Sequence, residues 1–258
     1  MSVFKKYAAV YDLIYKDKDY NKEAEHIADI LKKLGNGKIK EVLNLGCGTG
    51  RHDHILAEMG FNMTGVDMSK EMVEIANLNS PGPSKLSGPP SLSKREGLGE
   101  SCFFTGDIRT IDLNQTFDAV ISMFHVMSYQ NGDSDVEAVF NNVFKHLKKG
   151  GLFLFDCWYG PAVLKDRPEK RVKKVENSKL KVTRIAQPVL HEEINIVDVN
   201  YKINVLEKKT GRSETYNETH NMRYFFVLEL EKFAANVGFE MISHEINGWN
   251  LEIAVRKR

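Results

Sequence analysis

Apolar positions along the chain follow two periods. Ala24, Ile27, Ala28, Leu31 and Leu34 recur at helical spacing and predict an amphipathic helix over 21–34, ended by Gly35-Asn36-Gly37. From Glu41 onward, short apolar runs alternate with helical segments. Strands are predicted at 41–45, 61–66, 103–105, 117–123 and 152–157, with helices at 51–59, 69–77 and 134–147 between them. Strands that are apolar on both faces and separated by helices pair in parallel beneath covering helices. Right-handed crossovers then make a doubly wound α/β sheet the expected fold class.

Two stretches depart from this rhythm. Residues 80–100 are dense in Pro, Gly, Ser and Lys and predict a flexible loop. Residues 171–225 show alternation of period two at 179–185, 194–206 and 213–223, with Lys209-Thr210-Gly211-Arg212 as a hairpin turn. They predict an antiparallel β-cap inserted into the fold and standing over its rim. A helix at 227–236 and strands at 240–246 and 249–255 close the chain. No internal repeat or linker divides it, so one domain is expected over 1–258.

Composition narrows the function classes. With 36 basic and 35 acidic residues among 258, the formal net charge is +1, which argues against a globally basic nucleic-acid surface. A local basic face from Arg171, Lys173, Lys174, Lys179, Lys181 and Arg184 would revive that reading. Cys47, Cys102 and Cys157 are far apart and form no C-x-x-C pair, so neither a disulfide framework nor a metal site is expected. No apolar stretch has bilayer-spanning length and no signal core follows Met1, so the expected location is cytoplasmic, with no membrane partner.

The candidate chemistry begins where the 41–45 strand runs into Gly46-Cys47-Gly48-Thr49-Gly50 and then a helix. Strand, glycine turn and helix bring backbone close to a ligand at the carboxyl ends of parallel strands. A dinucleotide fingerprint needs G-x-G-x-x-G; here the spacing is G-x-G-x-G, and Arg51 stands where the third glycine is required. Asp67 follows the next strand, placed to accept from both ribose hydroxyls of a nucleoside. Asp107 and Ile108 follow the third strand; one suits the exocyclic amine of adenine and the other its ring face. Met123 ends the fourth strand, and His125 and Tyr129 lie just beyond it.

Leu43-Asn44-Leu45-Gly46-Cys47-Gly48-Thr49-Gly50, Val66-Asp67-Met68-Ser69, Gly106-Asp107-Ile108-Arg109, Phe117-Asp118-Ala119-Val120 and Leu147-Lys148-Lys149-Gly150-Gly151, in that order, resemble class I S-adenosylmethionine-dependent methyltransferases. A narrower similarity, to bacterial nucleotide-sugar N-methyltransferases, lies in Tyr11-Asp12-Leu13-Ile14-Tyr15, Lys18-Asp19-Tyr20, Met123-Phe124 and Asp156-Cys157-Trp158-Tyr159. The resemblance implies a Rossmann-like, mostly parallel seven-stranded sheet whose last strand, 249–255, is antiparallel. It implies S-adenosyl-L-methionine as cofactor, bound by Tyr11, Leu45, Gly46, Gly48, Gly50, Asp67, Met68, Asp107, Ile108 and Met123. Where those sugar enzymes carry a histidine, this chain has Tyr129, so the particular sugar stays open.

The expected activity is methyl transfer to a small-molecule acceptor, with an amine such as an amino sugar as the specific choice. The rival readings are a methyltransferase for RNA or protein, a nicotinamide-dependent reductase, and a non-catalytic cofactor-binding protein. His125 is the candidate base by type and position, and Tyr129 a candidate for orienting the acceptor. His52 and His54 are expected at the surface or the cofactor's edge. His220 and Arg223 of the cap are in reach of the substrate or idle on a sheet face. Trp158 and Tyr159 either wall the acceptor pocket or pack in the core. Tyr7, Tyr11, Tyr15 and Tyr20 form either a packed N-terminal segment or a lid. A homodimer is compatible with all of these.

Overall fold

The computed structural model describes residues 8–79 and 99–258. Tyr7 and positions 80–98 of the predicted loop lie outside the described residues. The elements in chain order begin with α1 (Ala8–Ile14), α2 (Tyr20–Leu34), β1 (Glu41–Leu45), α3 (Arg51–Glu58), β2 (Asn62–Asp67), α4 (Lys70–Asn79), β3 (Ser101–Thr105) and β4 (Phe117–Ser122). Then come α5 (Asp133–His146), β5 (Leu147–Tyr159), α6 (Gly160–Asp166), β6 (Arg171–Glu176), β7 (Leu180–His191), β8 (Ile196–Glu207), β9 (Ser213–Phe225), α7 (Val227–Val237), β10 (Phe239–Asn247) and β11 (Asn250–Lys257).

The main sheet runs β3-β2-β1-β4-β5-β11-β10. Neighbours from β3 to β5 are parallel, and β11 lies antiparallel to β5, as the resemblance implied. The chain order reverses at β1, which has β2 on one side and β4 on the other. A crevice opens at such a switch point, outside the carboxyl ends of the strands.

Each central strand divides its side chains between two cores, as a period of two requires. Phe117 and Val120 of β4, with Phe153 and Phe155 of β5, join Phe140 and Phe239 against α5 and α7. Ala119 and Ile121, with Leu152 and Leu154, meet Ile27, Leu31 and Leu56 of α2 and α3. Asp19 caps α2 by accepting from the Lys22 amide at 3.0 Å. The predicted gap between α5 and its following strand is closed: β5 starts at Leu147 and takes up the surplus residues in a register shift between Phe117 and Ala119.

The cap has four antiparallel strands, β6 to β9, one more than the alternation predicted. Strand β6 escaped the hydrophobic pattern because Arg171, Lys173, Lys174 and Glu176 dominate it, the composition of a protected edge. Strand β7 runs six residues past its predicted end, through Pro188. Pairing with β6 stops at Ala186, so Pro188 sits where β7 has only β8 beside it and needs no amide donor. The cap joins the main sheet where Trp158 and Tyr159 pair with Tyr224 and Phe225.

Register also breaks up the basic face considered above. Lys173 pairs with Arg184 and so shares its side of the sheet, whereas Lys174 and Lys181 project from the other side. Arg184 is covered: its guanidinium lies 5.4 Å from the Tyr15 ring and 4.9 Å from the Tyr201 ring, and it donates to the Tyr15 hydroxyl at 3.0 Å. Val10 and Ile14 of α1 pack on Val175, Val182 and Ile203 of the cap. No described helix is long and apolar enough to cross a membrane.

Arg223, a candidate for substrate contact, serves the fold instead. Only 6% exposed, it donates to Glu229 of α7 and, at 2.7 Å, to Asp133 of α5. Charge-assisted hydrogen bonds of this kind each contribute roughly 1.5–3 kcal/mol. Arg223→Ala is therefore expected to lower unfolding stability by about 2 kcal/mol or more, read as a fall in the urea midpoint with the slope unchanged.

Candidate active site

A cavity of about 470 Å³ occupies the crevice at the carboxyl ends of the parallel strands. Its floor is the loop after β1, and its roof includes Tyr11 of α1, Tyr15 just after that helix, and Tyr201 and His220 of the cap. Gly46 and Gly48 give the loop its path, with φ of 85° and 57°. A side chain on Gly46 would meet Val126 at 2.4 Å, so only glycine lets β1 turn beneath the segment after β4. A side chain on Gly48 would meet nothing within 4 Å, which marks the loop's open side.

The loop is held from three directions. The amides of Gly46 and Cys47 both donate to the Val66 carbonyl, at 2.7 and 3.0 Å. Asp67 accepts from the Gly48 amide at 2.9 Å and from the Ser69 amide at 2.8 Å. Burial pushes the Asp67 carboxyl above the usual carboxylate range, against the pull of those two amides. Asp12 of α1 accepts from the Thr49 hydroxyl at 3.0 Å and lies 3.2 Å from Arg51 Nε. Beneath, Asn44 donates to the fully buried Asp53 at 2.8 Å, and burial raises the Asp53 carboxyl to about 7.

At one end of the cavity, Arg109 forks between Asp107 and Asp135, each at 2.6 Å, and its hydrogen bonds hold the Asp107 carboxyl below the usual range. Ile108 beside them is buried. At the other end, Phe124 and His125 are consecutive residues in the left-handed region, at φ 67° and 63°. Such conformations cost of order 1–3 kcal/mol each and persist only when their surroundings enforce them. Here Asp156 of β5 accepts from the His125 amide at 2.6 Å. His125 Nδ1 is buried without a hydrogen-bond partner. Its ring lies between Phe124 and Trp158, at centroid distances of 5.9 and 6.4 Å.

Tyr129 completes this wall, with its hydroxyl 2.6 Å from His220 Nδ1. Lys18 Nζ sits 3.3 Å above the Phe124 ring and 3.0 Å from Glu23, and burial lowers its pKa.

Ten predicted site residues therefore line one cavity: Tyr11, Gly46, Gly48, Asp67, Met68, Asp107, Ile108, Met123, His125 and Tyr129. Two do not. Leu45 is a core residue, 1% exposed, facing away between β-strand neighbours. Gly50 caps α3, where a side chain would meet the Phe103 ring at 2.7 Å, so its role is packing. Trp158 and His52 border the cavity, whereas Tyr159 packs in the core and His54 bonds Ser101. Lys18, Asn44, Gln130 and Asn131 line the site without having been predicted to. Lys18 and Asn44 carried a signal, one as part of the Lys18-Asp19-Tyr20 match and the other as part of the glycine-loop motif.

Residues 42–151 match the family model described as a methyltransferase domain. The sheet order is that of a class I methyltransferase fold, and the matched segment carries the glycine loop of a methyltransferase domain that uses S-adenosylmethionine. It is similar to a putative methyltransferase, YqeM, of Bacillus subtilis, at 27% identity over 93% of this chain and 87% of that one. It is similar, at 29% identity over 62% of this chain and 60% of the other, to dTDP-3-amino-3,4,6-trideoxy-alpha-D-glucopyranose N,N-dimethyltransferase of Streptomyces venezuelae. Among solved structures, DesVI of Streptomyces venezuelae shares the fold, with a TM-score of 0.78, 22% identity and coverage of 96% of this chain and 98% of that one.

The site suits S-adenosylmethionine. The glycine cradle is open where backbone must approach a ligand, and buried Asn44 Oδ1 on the cavity wall has no hydrogen-bond partner. Asp67→Ala is expected to weaken S-adenosylmethionine binding roughly 10- to 100-fold, the worth of a charged hydrogen bond. Calorimetric titration checks this, and unchanged affinity would refute a ribose contact.

The buried Asp53 gives a pH dependence. Its folded pKa of about 7 lies above the ordinary 3.8, so the folded state holds the extra proton between these values. Stability is then greatest at low pH and falls as pH rises toward 7, by up to about 1.4 kcal/mol per pH unit. Asp53→Asn should remove that slope, measured by urea unfolding from pH 5 to 8.

Proposed function

We propose that the protein methylates the amine of a small nucleotide-linked amino sugar. The observation that carries a small acceptor is the roofed cleft: α1 and the cap stand over it, and about 470 Å³ accommodates small molecules rather than a folded chain or a duplex. The amine is supported by the aromatic wall of Tyr15, Phe124, Tyr129 and Trp158, which suits a nitrogen carrying positive charge. The Streptomyces venezuelae relative, by its name, acts on a dTDP-linked amino sugar.

In this proposal Asp67 takes the ribose hydroxyls, Ile108 and Asp107 the adenine, and Gly46, Gly48, Tyr11, Met68 and Met123 the rest of the donor. S-adenosylmethionine, when bound, supplies a methyl group on a positively charged sulfur that leaves readily. The chain's task is alignment, and good positioning is worth roughly 7–11 kcal/mol of barrier. The α1–Asp12–Thr49 link ties the roof to the donor loop and excludes water. His125, whose Nδ1 lies 3.7 Å from the Asp156 carboxylate and makes no hydrogen bond, and the Tyr129 hydroxyl face the acceptor nitrogen in this proposal.

Incubation with S-adenosylmethionine and separately with dTDP-3-amino-3,4,6-trideoxyglucose, RNA and unstructured peptides tests this. Mass spectrometry should show methyl groups added to the amino sugar. Transfer only to RNA or peptide would overturn the proposal. His125→Ala should lower kcat by about 10- to 100-fold while leaving S-adenosylmethionine affinity within a few-fold.

A further inference from the structure

The acceptor wall contains more than an orienting hydroxyl. Tyr129 follows β4, whereas His220 and Glu218 belong to β9, 91 and 89 positions further along the chain. Residues two apart on a strand share a face, so His220 and Glu218 project together toward the roof of the cavity. Tyr129 Oη is 2.6 Å from His220 Nδ1, and His220 Nε2 is 3.5 Å from Glu218 Oε2. The His220 side chain is 4% exposed and that of Glu218 11%. Tyr201 of β8 pairs with Glu218 in register and sets its ring edge-on to His220 at 4.8 Å. Tyr129 and His220 both line the cavity.

We propose that Tyr129, His220 and Glu218 form a relay that removes the proton from the acceptor amine. The inference rests on the amine reading above. The acceptor's ammonium N–H bond breaks toward Tyr129 Oη as the Tyr129 O–H bond breaks toward His220 Nδ1. The electron pair left on nitrogen becomes the nucleophile that takes the methyl group. Tyr129 ends neutral, and His220 ends as an imidazolium whose Nε2–H faces the Glu218 carboxylate. No further reactant is needed. Tyr129 is thus the group that touches substrate, and His220 and Glu218 act through it.

The surroundings agree with passage rather than storage of the proton. Burial holds the Tyr129 phenol well above its ordinary range, so Tyr129 does not keep a phenolate at neutral pH. Among the titratable groups that bear on it are Tyr201 of β8, Tyr15 just after α1, Glu218 of β9 and Asp67 of β2. Of these, Glu218 is the carboxylate that also faces His220 Nε2, at 3.5 Å. Tyr201 is itself pushed up to about 12 by burial and stays neutral, with Arg184 over its far side.

Two measurements decide the matter. Nitrogen NMR of the His220 ring in the whole protein reads the relay without any acceptor. Nδ1 should be the unprotonated nitrogen at pH 8 and Nε2 the protonated one; a proton on Nδ1 would mean that His220 donates to Tyr129, and would overturn the relay. The pH profile of kcat/KM with dTDP-3-amino-3,4,6-trideoxyglucose is the second. His220→Gln keeps an acceptor for the Tyr129 hydroxyl but no basic nitrogen. It should lower kcat about 100-fold, within the range for general-base help, and flatten the acid limb while S-adenosylmethionine affinity holds. Glu218→Gln, which removes the carboxylate facing His220 Nε2, should lower kcat about 10-fold while S-adenosylmethionine affinity holds. A wild-type profile in His220→Gln would overturn the relay. A wild-type enzyme that leaves the amino sugar unmethylated would refute the acceptor assignment instead, and the ring-nitrogen measurement would still stand on its own.

Discussion

One carboxylate, Asp67, holds the glycine-loop side of the cavity together. It ends β2, yet it accepts from the Gly48 amide of the loop after β1 and from the Ser69 amide that leads into α4. The loop's position relative to the sheet therefore depends on an anion that the fold buries. Burial works against ionisation, and the two amides work for it. The loop must come close because Gly46 passes under Val126 with no room for a side chain. Val126 in turn stands where it does because the chain leaves β4 through two left-handed residues, Phe124 and His125, fastened to β5 by Asp156. The carboxyl ends of β1, β2, β4 and β5 are thus coupled through backbone amides and two acids, Asp67 and Asp156.

The roof hangs from this frame by few attachments. Helix α1 is anchored by its apolar face to the cap and by Asp12 to the donor loop. The cap meets the main sheet through a two-residue pairing at Trp158 and Tyr159 and through Arg223, which reaches α5 and α7. A short helix thus bridges the glycine loop and the cap through Asp12 on one side and Val10 and Ile14 on the other.

The donor half was legible in the sequence because its parts are local. A glycine turn, an acid one strand later, and Asp107-Ile108 after the third strand each follow directly from a strand end. Leu45 and Gly50 lie off the cavity although they belong to the same motif as residues that line it. Membership of the motif was taken as contact, whereas alternation along β1 turns Leu45 into the core and the start of α3 turns Gly50 against Phe103. Strand β6 was invisible because an edge strand protects itself with charge, and the length of β7 was hidden because Pro188 reads as an end. His220 was seen as a residue in the cap but not as a partner of Tyr129, since 91 positions separate them and no periodicity spans that distance.

That contrast has a functional side. The donor half is built from contiguous segments of the parallel sheet, where a change disturbs both the core and the cofactor loop. The side where the proposed acceptor would lie is assembled from the turn after β4, the end of β5 and the cap strands β8 and β9, through Tyr129, Trp158, Tyr201 and His220. Cap strands paired in antiparallel register can exchange residues on the cavity face without moving the glycine loop, because alternate positions project to opposite sides. A tyrosine at 129 has its phenolic oxygen within hydrogen-bonding distance of a cap histidine, so the acid–base character of that wall is shared between two elements. Substitution at either end changes the acceptor chemistry while Asp67 and its two amides continue to hold the donor loop.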